Sequence, residues 1–168
     1  MSRSVFLLLM CFVLAACSSN KGPLRLCPQV ASLRELDSAQ DYGREEASEK
    51  NLVAVATLER IEGQCEYDDD GVEILFDLKM AAQKGPRLGG EQVNFPYFIS
   101  VVSPQGEVLD KKMMSEQFIF EDGVEEVKKI EPLRIFLPLD EGEDASTYRV
   151  LLGFQLTPEQ IEAVRGEK

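Results

Sequence analysis

Residues 72–80 read VEILFDLKM and place an apolar side chain at every second position. This alternation is typical of a β-strand that has one face in a hydrophobic core and the other in solvent. The same period returns further along the chain, most clearly at residues 148–156. We therefore predict seven strands, at residues 27–33, 52–65, 72–80, 95–102, 108–120, 127–137 and 148–156.

Turn-forming residues separate these segments, for example DDDG at residues 68–71 and DEG at residues 140–142. A short C-terminal helix is predicted to begin at Thr157, with Pro158 at its first position and Gln160 completing a capping box. Seven short strands and one small helix predict an all-β fold, an immunoglobulin-like antiparallel β-sandwich. A lipocalin-like barrel is the alternative, but it needs more strands than this pattern contains.

The first seventeen residues have the features of a bacterial export signal. Arg3 precedes an apolar run at residues 5–14, which is about half the ~20 residues that a membrane-spanning helix needs. Leu14-Ala15-Ala16-Cys17 follows at once and resembles the lipobox of bacterial lipoproteins. The resemblance implies cleavage after residue 16 and acylation of Cys17. The alternative is an ordinary secretory signal followed by an unrelated cysteine.

The predicted organisation is a signal peptide at 1–16, a lipidated N-terminus and spacer at 17–26, and a β-sandwich domain at 27–168. Ser18 follows the acylated cysteine, where the sorting rule of enteric bacteria places aspartate in lipoproteins that stay in the inner membrane. Ser18 therefore predicts attachment to the outer membrane, facing the periplasm. Contact with the membrane is expected through the covalent lipid on Cys17, and no other cofactor is expected.

Two cysteines remain after processing, because Cys11 leaves with the signal and Cys17 carries the lipid. In an oxidising compartment Cys27 and Cys65 predict one structural disulfide. It would close a loop of about 39 residues and contribute roughly 4 kcal/mol on the chain-entropy model. A redox pair or a metal site is the alternative, although the spacing is not Cys-x-x-Cys and the chain has no histidine.

Successive loops of an antiparallel sandwich lie at alternate ends. The start of the first strand, with Cys27, therefore shares an end with Cys65 and with the acidic loops at 68–70 and 140–144. This arrangement supports the predicted disulfide and brings the acidic loops close to the membrane tether. Calcium binding by these loops is an alternative function, although neither has EF-hand spacing and acidic turns are common in hairpins.

The composition excludes several functions. Without histidine the chain has no Ser-His-Asp triad and lacks the most common general base. Removal of residues 1–16 takes away Arg3 alone and leaves 17 basic against 30 acidic residues, a net charge of −13, which disfavours nucleic acid as a partner. We expect no enzymatic activity. Tyr97 and Phe98 lie on opposite faces of one strand, so one of them is predicted to pack beneath residues 34–51, the alternative being part of a binding patch.

Several segments together resemble a group of uncharacterised small lipoproteins of the Gram-negative envelope. They are Cys27-Pro28, Cys65-x-Tyr67, Gly85-Pro86-Arg87, YFISV at 97–101 and the ending GFQLTPEQ at 153–160. The resemblance implies the same fold and address and supplies no catalytic residue. The expected function is protein–protein interaction in the envelope, as an adaptor or assembly factor, through an apolar or edge-strand surface. A small-ligand or Ca²⁺ binding module is the alternative, and a carboxylate-dependent hydrolase is disfavoured.

Overall fold

The computed structural model describes residues 25–90, 92–158 and 160–161. Its strands are β1 (Gln29–Ser32), β2 (Ser38–Asp41), β3 (Ala54–Tyr67), β4 (Gly71–Lys84), β5 (Gln92–Val102), β6 (Val108–Ile119), β7 (Glu126–Pro138) and β8 (Arg149–Phe154). Short 3-10 turns lie at Arg34–Leu36, Glu49–Asn51 and Ala145–Thr147. The predicted signal peptide, Cys17 and most of the spacer lie outside the described residues.

Two four-stranded sheets form a sandwich, which confirms the predicted all-β class. Sheet 1 has the strand order β1-β8-β5-β6, and sheet 2 has the order β2-β3-β4-β7. Hairpins join β3 to β4 and β5 to β6, whereas β4 pairs with β7 and β5 pairs with β8. The chain therefore crosses between the sheets four times, after β1, β4, β6 and β7, so that each sheet contains strands from distant parts of the sequence.

The strand count and the pairing differ from the prediction in two details. β2 is an additional strand, which pairs with β3 from Ser38↔Thr57 to Asp41↔Ala54. β1 pairs with β8 in parallel, so the sandwich is not wholly antiparallel. Both β1 and β8 begin at the same end of the sandwich and lie side by side in sheet 1, which makes this pair parallel.

Only the first turn of the predicted C-terminal helix lies within the described residues. The Ile161 N–H donates to the Thr157 carbonyl at 3.0 Å. The predicted capping box is formed, because the Thr157 N–H donates to Gln160 Oε1 at 2.7 Å and the Gln160 N–H donates to Thr157 Oγ1 at 3.3 Å. These bonds satisfy two backbone donors that helix geometry leaves open.

The core lies between the sheets and consists of the alternating apolar positions of the long strands. On β4 the five predicted inward side chains are all buried: Val72, Ile74, Phe76, Leu78 and Met80. β5 and β8 supply the facing layer, where Phe95 packs edge-on against Phe118 and Phe154 with ring centroids 6.1 Å and 5.9 Å away. Edge-to-face packing suits the aromatic quadrupole and gives this centre a defined geometry.

β5 is buried on both faces in its second half. Phe98 points away from the core, yet it is only 8% exposed. It lies opposite Gly153 of β8, and a Cβ built on that glycine would stand 3.1 Å from the Phe98 ring and 2.7 Å from Leu36 Cβ. Phe98 is thus the ring that points away from the core, and it shares the space outside Gly153 with Leu36 of the segment 34–51.

Candidate interaction surfaces

The Cys27–Cys65 disulfide joins the two layers of the sandwich. Cys27 comes just before β1 of sheet 1, Cys65 lies in β3 of sheet 2, and their Cα atoms are 5.7 Å apart. The predicted pairing is therefore confirmed. Because β1 has only four residues, this bond is the strongest connection between the start of the domain and sheet 2.

The disulfide end of the sandwich also carries both acidic loops, as the alternation of loop ends predicts. Residues 68–69 and 139–145 line a cleft of about 630 Å³, and Arg25 and Leu26 complete its wall. The Tyr67 hydroxyl donates to the Leu26 carbonyl at 2.6 Å, and the Arg25 guanidinium lies 5.1 Å from the Tyr67 ring centroid. The chain thus enters the domain through this acidic end.

The carboxylates of this end are engaged by their own loops. Asp68 Oδ1 accepts the Asp70 N–H at 2.9 Å, and Asp144 Oδ1 accepts both the N–H and the hydroxyl of Ser146. The bonds from Ser146 hold the pKa of the Asp144 carboxyl below its ordinary value. These are turn-stabilising bonds of the kind that make aspartate common in hairpins.

The described part of the chain contains no assembled metal-binding site. Within residues 25–90, 92–158 and 160–161, no three or more carboxylate, cysteine or histidine groups converge as metal ligands. Calcium needs six to eight oxygen ligands around one point.

The outer face of sheet 2 carries ion pairs between its strands, beside the exposed apolar side chains Ile130 and Phe136. Lys79 Nζ lies 2.7 Å from Glu62, Lys128 Nζ lies 2.7 Å from Glu59, and Arg134 lies 3.1 Å from Glu73. All six charged groups remain partly exposed, so each pair contributes little to stability. Such a mixed-charge face is typical of a surface that stays in water.

The outer face of sheet 1 has a different composition. Its positions are Gln92, Asn94, Pro96, Phe98, Ser100 and Val102 of β5, Val108, Lys111, Met113, Ser115, Gln117 and Ile119 of β6, and Arg149, Leu151 and Gly153 of β8. None of these positions is an aspartate or glutamate, in a chain that has 30 acidic residues. We call this surface the acid-free face.

Exposed apolar side chains are concentrated along β6 on the acid-free face. Met113 is 50% exposed and pairs with Phe98 on the neighbouring strand, while Ile119 is 52% exposed. A β-bulge opposite Val101 and Val102 adds Leu109 beside Val108, and both are exposed. Lys111 contributes a cation, with its ammonium 4.4 Å from the Phe98 ring centroid.

A polar cluster occupies the gap between the sheets along their β6 and β7 edges. Glu116 of β6 points inward, and its Oε1 accepts a bond from Lys129 of β7 at 2.5 Å. Tyr97 lies nearby and is 1% exposed. Burial, reinforced by the charges of Glu131 and Glu116, raises the pKa of Tyr97 to about 12. Between the β6 and β7 edges, the sandwich is therefore closed by charged and polar side chains instead of apolar ones.

Sequence patterns anticipated the disulfide and the acidic end but not the acid-free face. The alternation along residues 108–119 is irregular, because the inward side carries Asp110, Lys112 and Glu116 together with Phe118. The two faces of β6 can be distinguished only when its pairing with β5 is known. β8 then extends the outer face on the other side of β5. The acid-free face could have been found from the sequence by counting acidic residues at every second position of each predicted strand.

Comparison with protein-family models finds no match for this chain, and a search of curated proteins also finds none. Among the described residues, no helix has the length and apolar character needed to cross a membrane.

Proposed function

We propose that this protein is a lipid-anchored lipoprotein of the bacterial cell envelope that acts by protein–protein contact, as an adaptor or assembly factor. In this proposal Cys17 carries the lipid, the outer membrane holds the anchor and the domain faces the periplasm. The Leu14-Ala15-Ala16-Cys17 motif and Ser18 support the address. The acid-free face is the observation that supports the interaction.

The composition of the acid-free face matches what protein interfaces select. Interface cores are depleted of acidic residues and enriched in aromatic residues, methionine and arginine. Here the exposed Met113 and Arg149 lie on the face from which acids are absent, around the buried ring of Phe98. A partner that docks on this face would desolvate no carboxylate among the positions that define it, whereas docking on sheet 2 would disrupt hydrated ion pairs.

Site-specific photo-crosslinking in the host cell tests the proposed interaction. A photoreactive amino acid replaces Met113 on the acid-free face in one strain and Gln83, which points outward from sheet 2, in a matched control strain. We expect a recurrent adduct with one envelope protein from position 113 and none from position 83. Equal adduct patterns from the two positions, or no adduct from position 113 in correctly localised protein, would overturn the interaction.

The proposed anchor is tested separately by Cys17→Ser. We expect this variant to carry no lipid and to keep its signal segment, because acylation requires the cysteine thiol and the proposed cleavage depends on it. Unprocessed protein would stay larger than the mature form on a gel. Retention of Cys17→Ser in the membrane at the mature size would contradict lipid anchoring and leave the crosslinking result unaffected.

A further inference from the structure

We propose that the vacant edge of β3, from Ile61 to Cys65, binds an extended protein segment in which apolar and basic side chains alternate. β2 occupies the edge position of sheet 2 only beside residues 54–57 of β3. The Leu58 N–H donates to the Asp37 carbonyl at 2.8 Å, and a bulge between Leu58 and Arg60 follows. Beyond that point no strand pairs with this side of β3 among the described residues, although residues 26–28 lie close to its end, where Cys27 is bonded to Cys65 and the Leu26 carbonyl accepts the Tyr67 hydroxyl.

The backbone of this segment is oriented to pair with another strand. In an antiparallel ladder the N–H and C=O groups of one residue point to the same side, and successive residues alternate. The Asp68 N–H donates to the Gly71 carbonyl across the hairpin, so even-numbered residues of this segment face β4. Ile61, Gly63 and Cys65 therefore direct their backbone groups to the vacant side. Within the described ranges, no strand pairs with β3 there.

An apolar slot lies behind the vacant edge. Gly63 pairs with Phe76, whose side chain is in the core, so Gly63 stands at an inward position without a side chain. The resulting slot between the sheets has a volume of about 170 Å³, and its walls include Val30, Ile61 and Ile74. An inward apolar side chain of an added strand would enter this slot and bury surface that is now open to water.

The other long edges of the sandwich carry inward charges that oppose strand addition, whereas the vacant segment of β3 beyond its bulge carries none. β6 and β7 carry the inward-pointing charges Glu116, Lys129 and Glu131, and β7 also contains Pro132. Inward charges and proline are the devices by which natural proteins block edge pairing. The inward positions of the vacant segment are Ile61, Gly63 and Cys65, which include neither a charge nor a proline.

The charged residues of β3 determine which outward side chains the bound segment should carry. The outward positions of β3 next to the vacancy include Glu62 and Glu66. Cross-strand pairs of opposite charge stabilise a ladder, whereas like charges opposite each other destabilise it. A basic side chain on the added strand would thus face Glu66, since Glu62 is already paired with Lys79 of β4, and the net charge of −12 attracts a basic segment at a distance.

This mode of binding is known generally as β-augmentation, in which main-chain hydrogen bonds supply affinity and alternate side chains supply specificity. It uses a surface other than the acid-free face. Failure of strand addition at β3 would leave the crosslinking test at Met113 intact, and the reverse also holds.

The test uses a short synthetic peptide in which lysine alternates with valine, added to the full protein. Amide hydrogen exchange is followed residue by residue with NMR. We expect exchange at Ile61, Gly63 and Cys65 to slow by about tenfold or more on binding. Exchange at Glu62 and Gln64 should change little, because those amides already face β4. Binding without protection of Ile61, Gly63 and Cys65, or no binding, would overturn the proposal.

Two controls separate strand addition from attraction by charge alone. A peptide of the same sequence with alternate backbone nitrogens methylated keeps its charge but cannot complete the ladder, so it should give no protection. Glu66→Lys should weaken binding of the unmodified peptide about fivefold, whereas Glu121→Lys, the same charge change on the opposite end of the sandwich, should leave it nearly unchanged. Equal effects of the two substitutions would also overturn the proposal.

Discussion

Gly153 is the point at which three parts of the chain meet on the outside of sheet 1. It belongs to β8, lies opposite Phe98 of β5 and is approached by Leu36 from the connection between β1 and β2. The missing side chain lets the Phe98 ring and the Leu36 side chain come close to the backbone. A single glycine thereby allows the second face of β5 to be buried, which strand alternation alone does not require.

We expect Gly153→Ala to lower the free energy of unfolding by about 1–3 kcal/mol, because overpacking displaces neighbouring groups. The new Cβ would stand 2.7 Å from Leu36 Cβ, on a strand held from both sides. Urea denaturation measures the change. Gly90→Ala is the matched control, since a Cβ there meets nothing within 4 Å. Equal stability of the two variants would contradict this account of the packing.

Strand elements were predictable from the sequence wherever their alternation is long. The inward positions of β4 could be read directly, because sheet 2 has one face in the core and one in water. β2 was missed because its sequence, SAQD, contains one buried residue, Ala39. The parallel pairing of β1 with β8 was missed because it joins residues that are far apart in the chain, and local pattern carries no information on such pairs.

One side of the sandwich is closed by an ion pair between the edge strands β6 and β7. Glu116 and Lys129 point inward from strands of different sheets, at the margin of the core. An apolar pair at these positions would also fill the space and avoid the cost of desolvating two charges. The charges instead make the two edges unsuitable for pairing with strands of other molecules.

The substitutions Glu116→Leu and Lys129→Met, made singly and together, test whether the ion pair protects the edges from association more than it stabilises the fold. Each single substitution should destabilise the protein by about 1–3 kcal/mol, because it leaves one charge at the margin of the core without its partner. The double variant should regain most of that stability in urea denaturation. It should also self-associate at concentrations where the parent is monomeric by analytical ultracentrifugation. A double variant that is stable and stays monomeric would show that the charges do not protect these edges.

At the scale of the whole molecule, charge and attachment are unevenly distributed. The chain enters at the acidic end, the outer face of sheet 2 carries mixed ion pairs, and the outer face of sheet 1 has no acidic residue. Loop alternation predicted the acidic end from sequence, and the additional strand β2 leaves it unchanged because β2, like β1, runs opposite to β3. The contrast between the two faces could not be predicted in that way, because it depends on which strands are neighbours in each sheet.

The disulfide at the acidic end contributes to the stability of the whole domain. Its loop spans 38 positions, from the residues just before β1 of sheet 1 to the end of β3 in sheet 2. Replacing both cysteines, Cys27→Ser with Cys65→Ser, should lower the free energy of unfolding by about 4 kcal/mol, since the unfolded chain gains the freedom of the opened loop. Urea denaturation with and without a thiol reductant measures this loss, and the reductant should affect only the parent protein.

The same variant should also show where the domain opens first. β1 is held by one short parallel ladder to β8, so without the disulfide we expect the amides of Val30 and Ala31 to exchange by local opening, ahead of those in β4 and β5. Residue-specific hydrogen exchange on the oxidised parent and on the double variant makes the comparison. Uniform acceleration across all strands would mean that the disulfide stabilises the domain globally and that β1 does not depend on it. Selective acceleration in β1 would mean that the disulfide holds the entrance of the chain against the sandwich.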